Sequence, residues 1–223
     1  MMAPTSYLVL LINVALCHGG SLPKLVYTGD HCSKTYLVQD AVVFKNSFFA
    51  DTNCTITIKP KRGNITVASF YTYKQSNAGT VIASIIQNGR CQEYLKLTNT
   101  DENDQLLGSN GYCATEKPTK QYKLGSTGVF QYHRDSSWSA RYLSYDLLVS
   151  EVFLKQNSAD NCTAGTFDCQ SQKYCVSDEV KCNIYDDCGN REDETVGCTG
   201  SFIGYSPVLM LFLAVRCLRS VTL

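Results

Sequence analysis

The placing of the cysteines constrains this chain most. Six of its twelve cysteines fall within 37 residues, at Cys162, Cys169, Cys175, Cys182, Cys188 and Cys198. So short a segment cannot bury a sizeable hydrophobic core, and it needs disulfides, a metal or both. Four more, Cys32, Cys54, Cys91 and Cys113, are spread upstream, and Cys17 and Cys217 lie in apolar segments near the two ends. Twelve cysteines in 223 residues argue against a reducing compartment unless they bind metal. Twenty Lys and Arg balance twenty Asp and Glu. That leaves no basic excess to hold a phosphate backbone, so nucleic acid is not a partner. Three histidines leave little room for a His-rich metal centre or a His-based catalytic apparatus.

The ends of the chain agree with an oxidising route. Residues 1–20 read as a secretory signal peptide: an apolar run from Tyr7 to Leu16, too short to span a bilayer, is followed by small residues. Three glycosylation signals point the same way, at Asn53, Asn64 and Asn161. The tail, residues 199–223, has an apolar stretch of fourteen residues from Phe202 to Val215, where a spanning helix wants roughly twenty. Thr199, Gly200 and Ser201 offer the small residues of a lipid-anchor site. Arg216 and Arg219 suit the cytoplasmic side of a short span instead. Lipid anchor, short span and free secreted terminus all stay open. Losing both ends removes Cys17 and Cys217 and leaves an even number of thiols.

Residues 32–153 have the texture of β-structure. Thr55 to Lys59 alternates apolar and polar, as do Ile65 to Val67 and Tyr94 to Leu97. From Tyr142 to Val149, the side chains of Leu143, Tyr145, Leu147 and Val149 share one face. Gly63, Gly79, Gly89, Gly108, Gly111, Gly125 and Gly128 read as turn markers between such runs. Short strands at this spacing indicate a two-sheet sandwich. Cys32 and Cys54 are 22 positions apart, as are Cys91 and Cys113. Four cysteines allow three pairings, and bridges closing loops of that length would each stabilise by about 3 kcal/mol.

Several pieces of this region resemble a CUB domain, a jelly-roll β-sandwich of extracellular proteins. They are Cys32, the Cys54-Thr-Ile-Thr-Ile-Lys-Pro segment, Cys91-Gln-Glu-Tyr-Leu-Lys-Leu, Leu107-Gly-Ser-Asn-Gly-Tyr-Cys113, and the stretch from Val129 to Tyr145. The resemblance implies Cys32–Cys54 and Cys91–Cys113 bridges. Many CUB domains also hold calcium through three acids. Glu93 and Asp135 match two of these, and no acid between Phe70 and Arg90 supplies the first. Two carboxylates are a poor start for an ion that takes six to eight oxygens. The alternative is that Glu93 and Asp135 are ordinary surface acids.

Residues 154–161 read as a polar linker. Beyond them, residues 162–198 carry eight acids against three bases, a net of −5. So small a unit would repel itself unless a cation sits among the carboxylates. Oxygen-rich side chains at these spacings suit calcium better than zinc, and secretion would oxidise the cysteines before zinc could use them.

This segment resembles the LDL-receptor class A repeat, on Phe167-Asp-Cys169, Cys175-Val, Cys182, Asp186-Asp-Cys188 and Glu192-Asp-Glu194 before Cys198. The resemblance implies Cys162–Cys175, Cys169–Cys188 and Cys182–Cys198 bridges. It implies a calcium cage of the Asn183, Asp187, Asp193 and Glu194 side chains with the Val180 and Tyr185 carbonyls, and Phe167 as an apolar plug. Ligand-gripping repeats carry Trp where this chain has Val180, which cannot pack along a ligand's lysine.

No G-x-S-x-G, H-E-x-x-H or P-loop occurs. His133 with Asp135, Ser136 and Ser137 are neighbours in sequence, which does not make a triad. The expectation is therefore a mainly β, non-enzymatic, extracellular binding protein. It would be a CUB-type jelly-roll sandwich plus a small calcium-binding module, membrane-tethered through the tail. By resemblance of architecture to neuropilin-and-tolloid-like proteins, it would serve as a co-receptor or auxiliary subunit for a protein ligand or receptor. The alternatives are a soluble secreted ligand- or matrix-binding protein and a regulatory subunit of a secreted protease.

Overall fold

The computed structural model describes residues 20–46, 53–75, 86–87, 90–114, 116–134, 143–157 and 160–198. The signal-like segment, Asp135, the serines after it and the tail lie outside the described residues, as do Gly79 and Gly89.

In chain order the strands are β1 (Lys24–Tyr27), β2 (Lys34–Val38), β3 (Ala41–Lys45), β4 (Asn53–Pro60), β5 (Ile65–Gln75), β6 (Ile86–Gln87), β7 (Arg90–Cys91), β8 (Glu93–Asn99), β9 (Asp104–Tyr112), β10 (Tyr122–Gly125), β11 (Gly128–Arg134), β12 (Leu143–Leu154), β13 (Thr166–Cys169) and β14 (Tyr174–Ser177). One sheet runs β2-β4-β11-β8-β9, while the other runs β1-β3-β12-β5-β10. β1 is parallel to β3 and β2 to β4; the other pairings in these two sheets are antiparallel. β6 and β7 form a separate two-stranded ribbon.

The two sheets enclose one apolar core. Ile56, Ile58, Leu95, Leu97 and Phe130 enter it from one sheet, and Phe44, Leu143, Tyr145, Leu147 and Val149 from the other. In β8 the burial alternates strictly, because one face meets this core and the other meets solvent. Each fully buried aliphatic side chain contributes about 1.5–3 kcal/mol.

Two of the glycines expected as turns lie inside a strand. Gly108 and Gly111 take φ of 60° and 97° within β9. Leu97 pairs Leu107 and Leu95 pairs Tyr112, so the residues between form a bulge. A Cβ on Gly111 would lie 2.4 Å from the Tyr94 ring.

β12 is the element that matters for the small module. β3 stops opposite Ser150, and β14 then pairs β12 from Val152 to Leu154. With β13 alongside, the module's hairpin extends the sandwich's own sheet. A second apolar cluster lies on the outer face of that sheet. It joins Val43, Ile65, Val67, Leu148 and Val152 to Cys169, Tyr174, Val176, Val180 and Cys188. β12 is therefore buried on both faces over its second half.

Candidate functional site

The structure holds five disulfides: Cys32–Cys54, Cys91–Cys113, Cys162–Cys175, Cys169–Cys188 and Cys182–Cys198. The first two lie in the sandwich and the other three in the small module.

In the module, the hairpin leads into a 3₁₀ turn, Asp178–Val180, whose first turn is capped by the Ser177 hydroxyl accepting from Glu179 N (3.3 Å). An irregular acidic loop follows, then one helical turn, Glu192–Thr195. The loop uses left-handed backbone at residues other than glycine. Cys182, Ile184 and Arg191 have φ of 61°, 74° and 65°. For a β-branched residue such as Ile184 this is costly, and it persists where surrounding contacts over-determine it.

Those contacts come from the acids. Glu194 Oε1 accepts from Asn183 N (2.8 Å) and Oε2 from Ile184 N (2.6 Å). Asp193 accepts from Asp187 N (2.9 Å) and Cys188 N (3.3 Å). Asn183 Oδ1 accepts from Tyr185 N (2.8 Å), and its Nδ2 donates to Asp187 Oδ2 (3.1 Å). Asn183, Asp187 and Asp193 are fully buried and Glu194 nearly so. Burial pushes the Asp187 carboxyl well above the usual range, with the Asp193 charge adding to it. Burial also raises Asp193 to about 6 and moves Glu194 upward.

The four side chains expected to form a cage are thus gathered from the acidic loop (Asn183, Asp187) and the helical turn after it (Asp193, Glu194). Val180 closes the 3₁₀ turn before it and Tyr185 lies within it. Among the described residues, no three His, Cys, Asp or Glu side chains converge as a metal-binding group. The Asp193 and Glu194 oxygens point to backbone N–H groups instead, and those of Asp187 to the Ser150 hydroxyl and the Asn183 amide; each such oxygen keeps a second lone pair. The donor set is all-oxygen, anionic and buried, which is the chemistry of a hard cation site. Phe167 is partly buried in the second cluster, with Lys181 Nζ 4.9 Å above its ring. Val180 is buried, so it presents no face to a partner.

Two residues of the sandwich enter this site, and the sequence did not mark either. Ser150, on β12, donates its hydroxyl to Asp187 Oδ1. Gln121 Nε2 donates to the Asp187 carbonyl (3.1 Å). Lys155, in the segment read as a linker, is tied to the module through Asp168 and through its N–H to Lys173 O (3.1 Å). Where the module meets β5 and β10 there is a cleft of about 300 Å³, floored by Ile65 and Val67 with Lys123 and Lys173 beside it.

Glu93 is not a surface acid. It is fully buried, and accepts from the Tyr132 hydroxyl (2.6 Å) and from Leu143 N (3.3 Å), bracing the two sheets together. The three sequon asparagines are exposed. His31 packs on Tyr36 and His133 stacks on Tyr94, so the two rings serve different sites. No helix among the described residues is long and apolar enough to cross a membrane.

No family model matches the chain, and no curated protein matches it. Solved structures do. The CUB1-EGF-CUB2 domain of human MASP-1/3 is similar at a TM-score of 0.39 and 15% identity, over 54% of this chain and 42% of that one. The CUB1-EGF-CUB2 domains of rat MASP-1 give a TM-score of 0.36 and 12% identity, over 53% of this chain and 40% of that one. The chain covers about two fifths of the length of those structures. Likenesses this distant carry no argument. The fold stands on its own two sheets and five disulfides.

Proposed function

We propose that the chain is an extracellular protein-binding unit, a CUB-type sandwich joined to a calcium-dependent LDL-receptor class A repeat. Held at the cell surface by its C-terminal tail, it serves as a co-receptor or auxiliary subunit. The observation that carries this reading is the pairing of five disulfides with one acidic segment whose Asp187, Asp193 and Glu194 are buried. Disulfides at this density belong to an oxidising compartment. Three buried carboxylates in one segment call for a cation that such a compartment supplies.

Asn183, Asp187, Asp193 and Glu194 would hold calcium with their side chains, and Val180 and Tyr185 with their carbonyls. The ion would supply the positive charge that lets the buried acids ionise together. Because Val180 is buried and aliphatic, partner recognition does not run through a lysine clamp on this loop. The same secretory route would glycosylate Asn53, Asn64 and Asn161. This reading gives His31 and His133 no catalytic role.

The test is surface display of the full chain in cultured cells, followed by proximity labelling with and without chelator. Release by a phospholipase that cuts lipid anchors, and calcium-dependent labelling of a membrane protein, are the expected results. Recovery in the medium without treatment would sink the tether and leave a soluble binding protein. Labelling that chelator leaves unchanged would remove calcium from partner recognition.

A further inference from the structure

The loop that carries Asp187 is held from outside its own module. Ser150 is buried on β12, and its hydroxyl donates to Asp187 Oδ1. Gln121, half-buried in the segment before β10, donates to the Asp187 carbonyl. Its Oε1 lies 2.6 Å from the Tyr174 hydroxyl, which is also 2.9 Å from the Cys188 carbonyl. Gly189 comes next with φ of 83°, and a Cβ there would meet Gln121 Oε1 at 3.0 Å. Asp187 is therefore held by a strand and a loop of the sandwich, while Cys188 is held by the module's own Tyr174, whose hydroxyl also reaches Gln121.

A carboxylate that ligates a cation through one oxygen keeps the other for an outer hydrogen bond. Such outer partners set the carboxylate's orientation, and losing one typically costs metal affinity by about 10–100-fold. We propose that Ser150 and Gln121 are positioning residues for the small module's cation site, so that its calcium affinity is set by the sandwich. This rests on the calcium reading given above. Ligand binding and module docking are then thermodynamically coupled, and the coupling is reciprocal.

Calorimetric titration of the full chain with calcium chloride tests the idea. Ser150→Thr and Ser150→Val have the same shape and differ in the hydroxyl. The Thr variant should bind calcium within roughly threefold of the parent, and the Val variant at least about tenfold more weakly. A packing role alone would move both equally, so equal affinities overturn the proposal. Gln121→Ala should weaken binding by a few-fold. Amide exchange on the unsubstituted chain provides the second measurement, independent of how the variants fold. Calcium should slow exchange in β12 at residues 148–152 as well as in residues 178–198. Slowing confined to the module overturns the proposal. Absence of calcium binding by the parent chain overturns the calcium reading itself, and shows before any variant is made.

Discussion

Ser150 of the sandwich and Asp187 of the small module share a buried hydrogen bond, hydroxyl to Oδ1, across the seam between the two. The bond sits beside the strand pairing that brings β14 onto the end of β12. An acid loop, a hairpin and a sandwich edge are thereby one packed unit, and the predictions turn on that seam.

On the calcium reading proposed above, removal of the ion should be felt first in the loop. Without a cation, Asp187, Asp193 and Glu194 lie in a buried setting that raises the pKa of each. Chelation at neutral pH is expected to raise amide exchange across residues 178–198 and to speed disulfide reshuffling there. The core strands β4, β8 and β11 should keep their protection. Unchanged exchange in the loop would sink the cage assignment.

Leu147 and Leu148 are neighbours that serve different cores. Leu147 points into the sandwich and Leu148 into the cluster shared with the module. Both are essentially buried. Leu147→Ala should cost about 2–5 kcal/mol of sandwich stability in urea. Leu148→Ala should instead loosen β13 and β14, seen as faster exchange there with a smaller change in the sandwich midpoint. Identical patterns for the two would mean that the second cluster is not a separate seam.

The same pair shows what the sequence discloses. The alternation of Leu143, Tyr145, Leu147 and Val149 is legible because it faces one core and obeys a period of two. Leu148, Ser150 and Val152 lie on the other face, where alternation would put polar residues. The run Leu147 to Leu154 therefore departs from alternation for a reason that lies outside the strand. Ser150 carries no local signal for a carboxylate 37 residues away. Gln121 sits in a polar segment that reads as loop. Acidic residues and cysteines of the module are legible by spacing, because a small unit must build its core and its charge balance within 37 residues. Gly108 and Gly111 mislead because a bulge and a turn make the same demand on φ.

The Cys32–Cys54 bridge joins the start of β4 to the segment before β2, closing a loop of 22 positions. On the chain-entropy account, replacing both cysteines by Ala should lower stability by about 3 kcal/mol. Urea unfolding followed by tyrosine and tryptophan signals measures it. A loss below about 1 kcal/mol would mean that the reduced, unfolded chain already keeps these segments close.

Alkaline pH should weaken the fold through Tyr73. Its hydroxyl donates to Ala114 O (2.8 Å), and burial, with Tyr112 and Glu93 nearby, pushes its pKa up. The folded state therefore favours the neutral phenol. Stability is untouched below pH ~10, where an unfolded tyrosine titrates, and falls as pH rises from there toward the raised folded value. Tyr73→Phe should cost about 1 kcal/mol at pH 8 through the lost hydrogen bond. It should flatten the decline in urea midpoint between pH 9.5 and 11. Tyr174, raised for the same reason, leaves part of the slope in place. A decline as steep as in the parent chain would show that Tyr73 does not govern it.

Glu151 holds two loops to the edge of the sandwich. It is buried on β12, and its Oε1 accepts from the backbone N–H of Arg62 and of Gly63 (2.7 Å). Oε2 accepts from Asp40 N and from the Arg62 guanidinium, each at 3.4 Å. Arg62 also pairs with Asp40, but its side chain is 47% exposed, so solvent screens both ion pairs. The work of Glu151 is then mostly done on the backbone donors of the two loops. Glu151→Ala should cost about 2–4 kcal/mol, because it strands those donors. Arg62→Ala should cost less than about 1 kcal/mol. The loop between Lys61 and Asn64 should also become more open to proteolysis in the first variant and not in the second. Equal losses in urea would mean that the charge pair, and not the backbone acceptor, holds the loops.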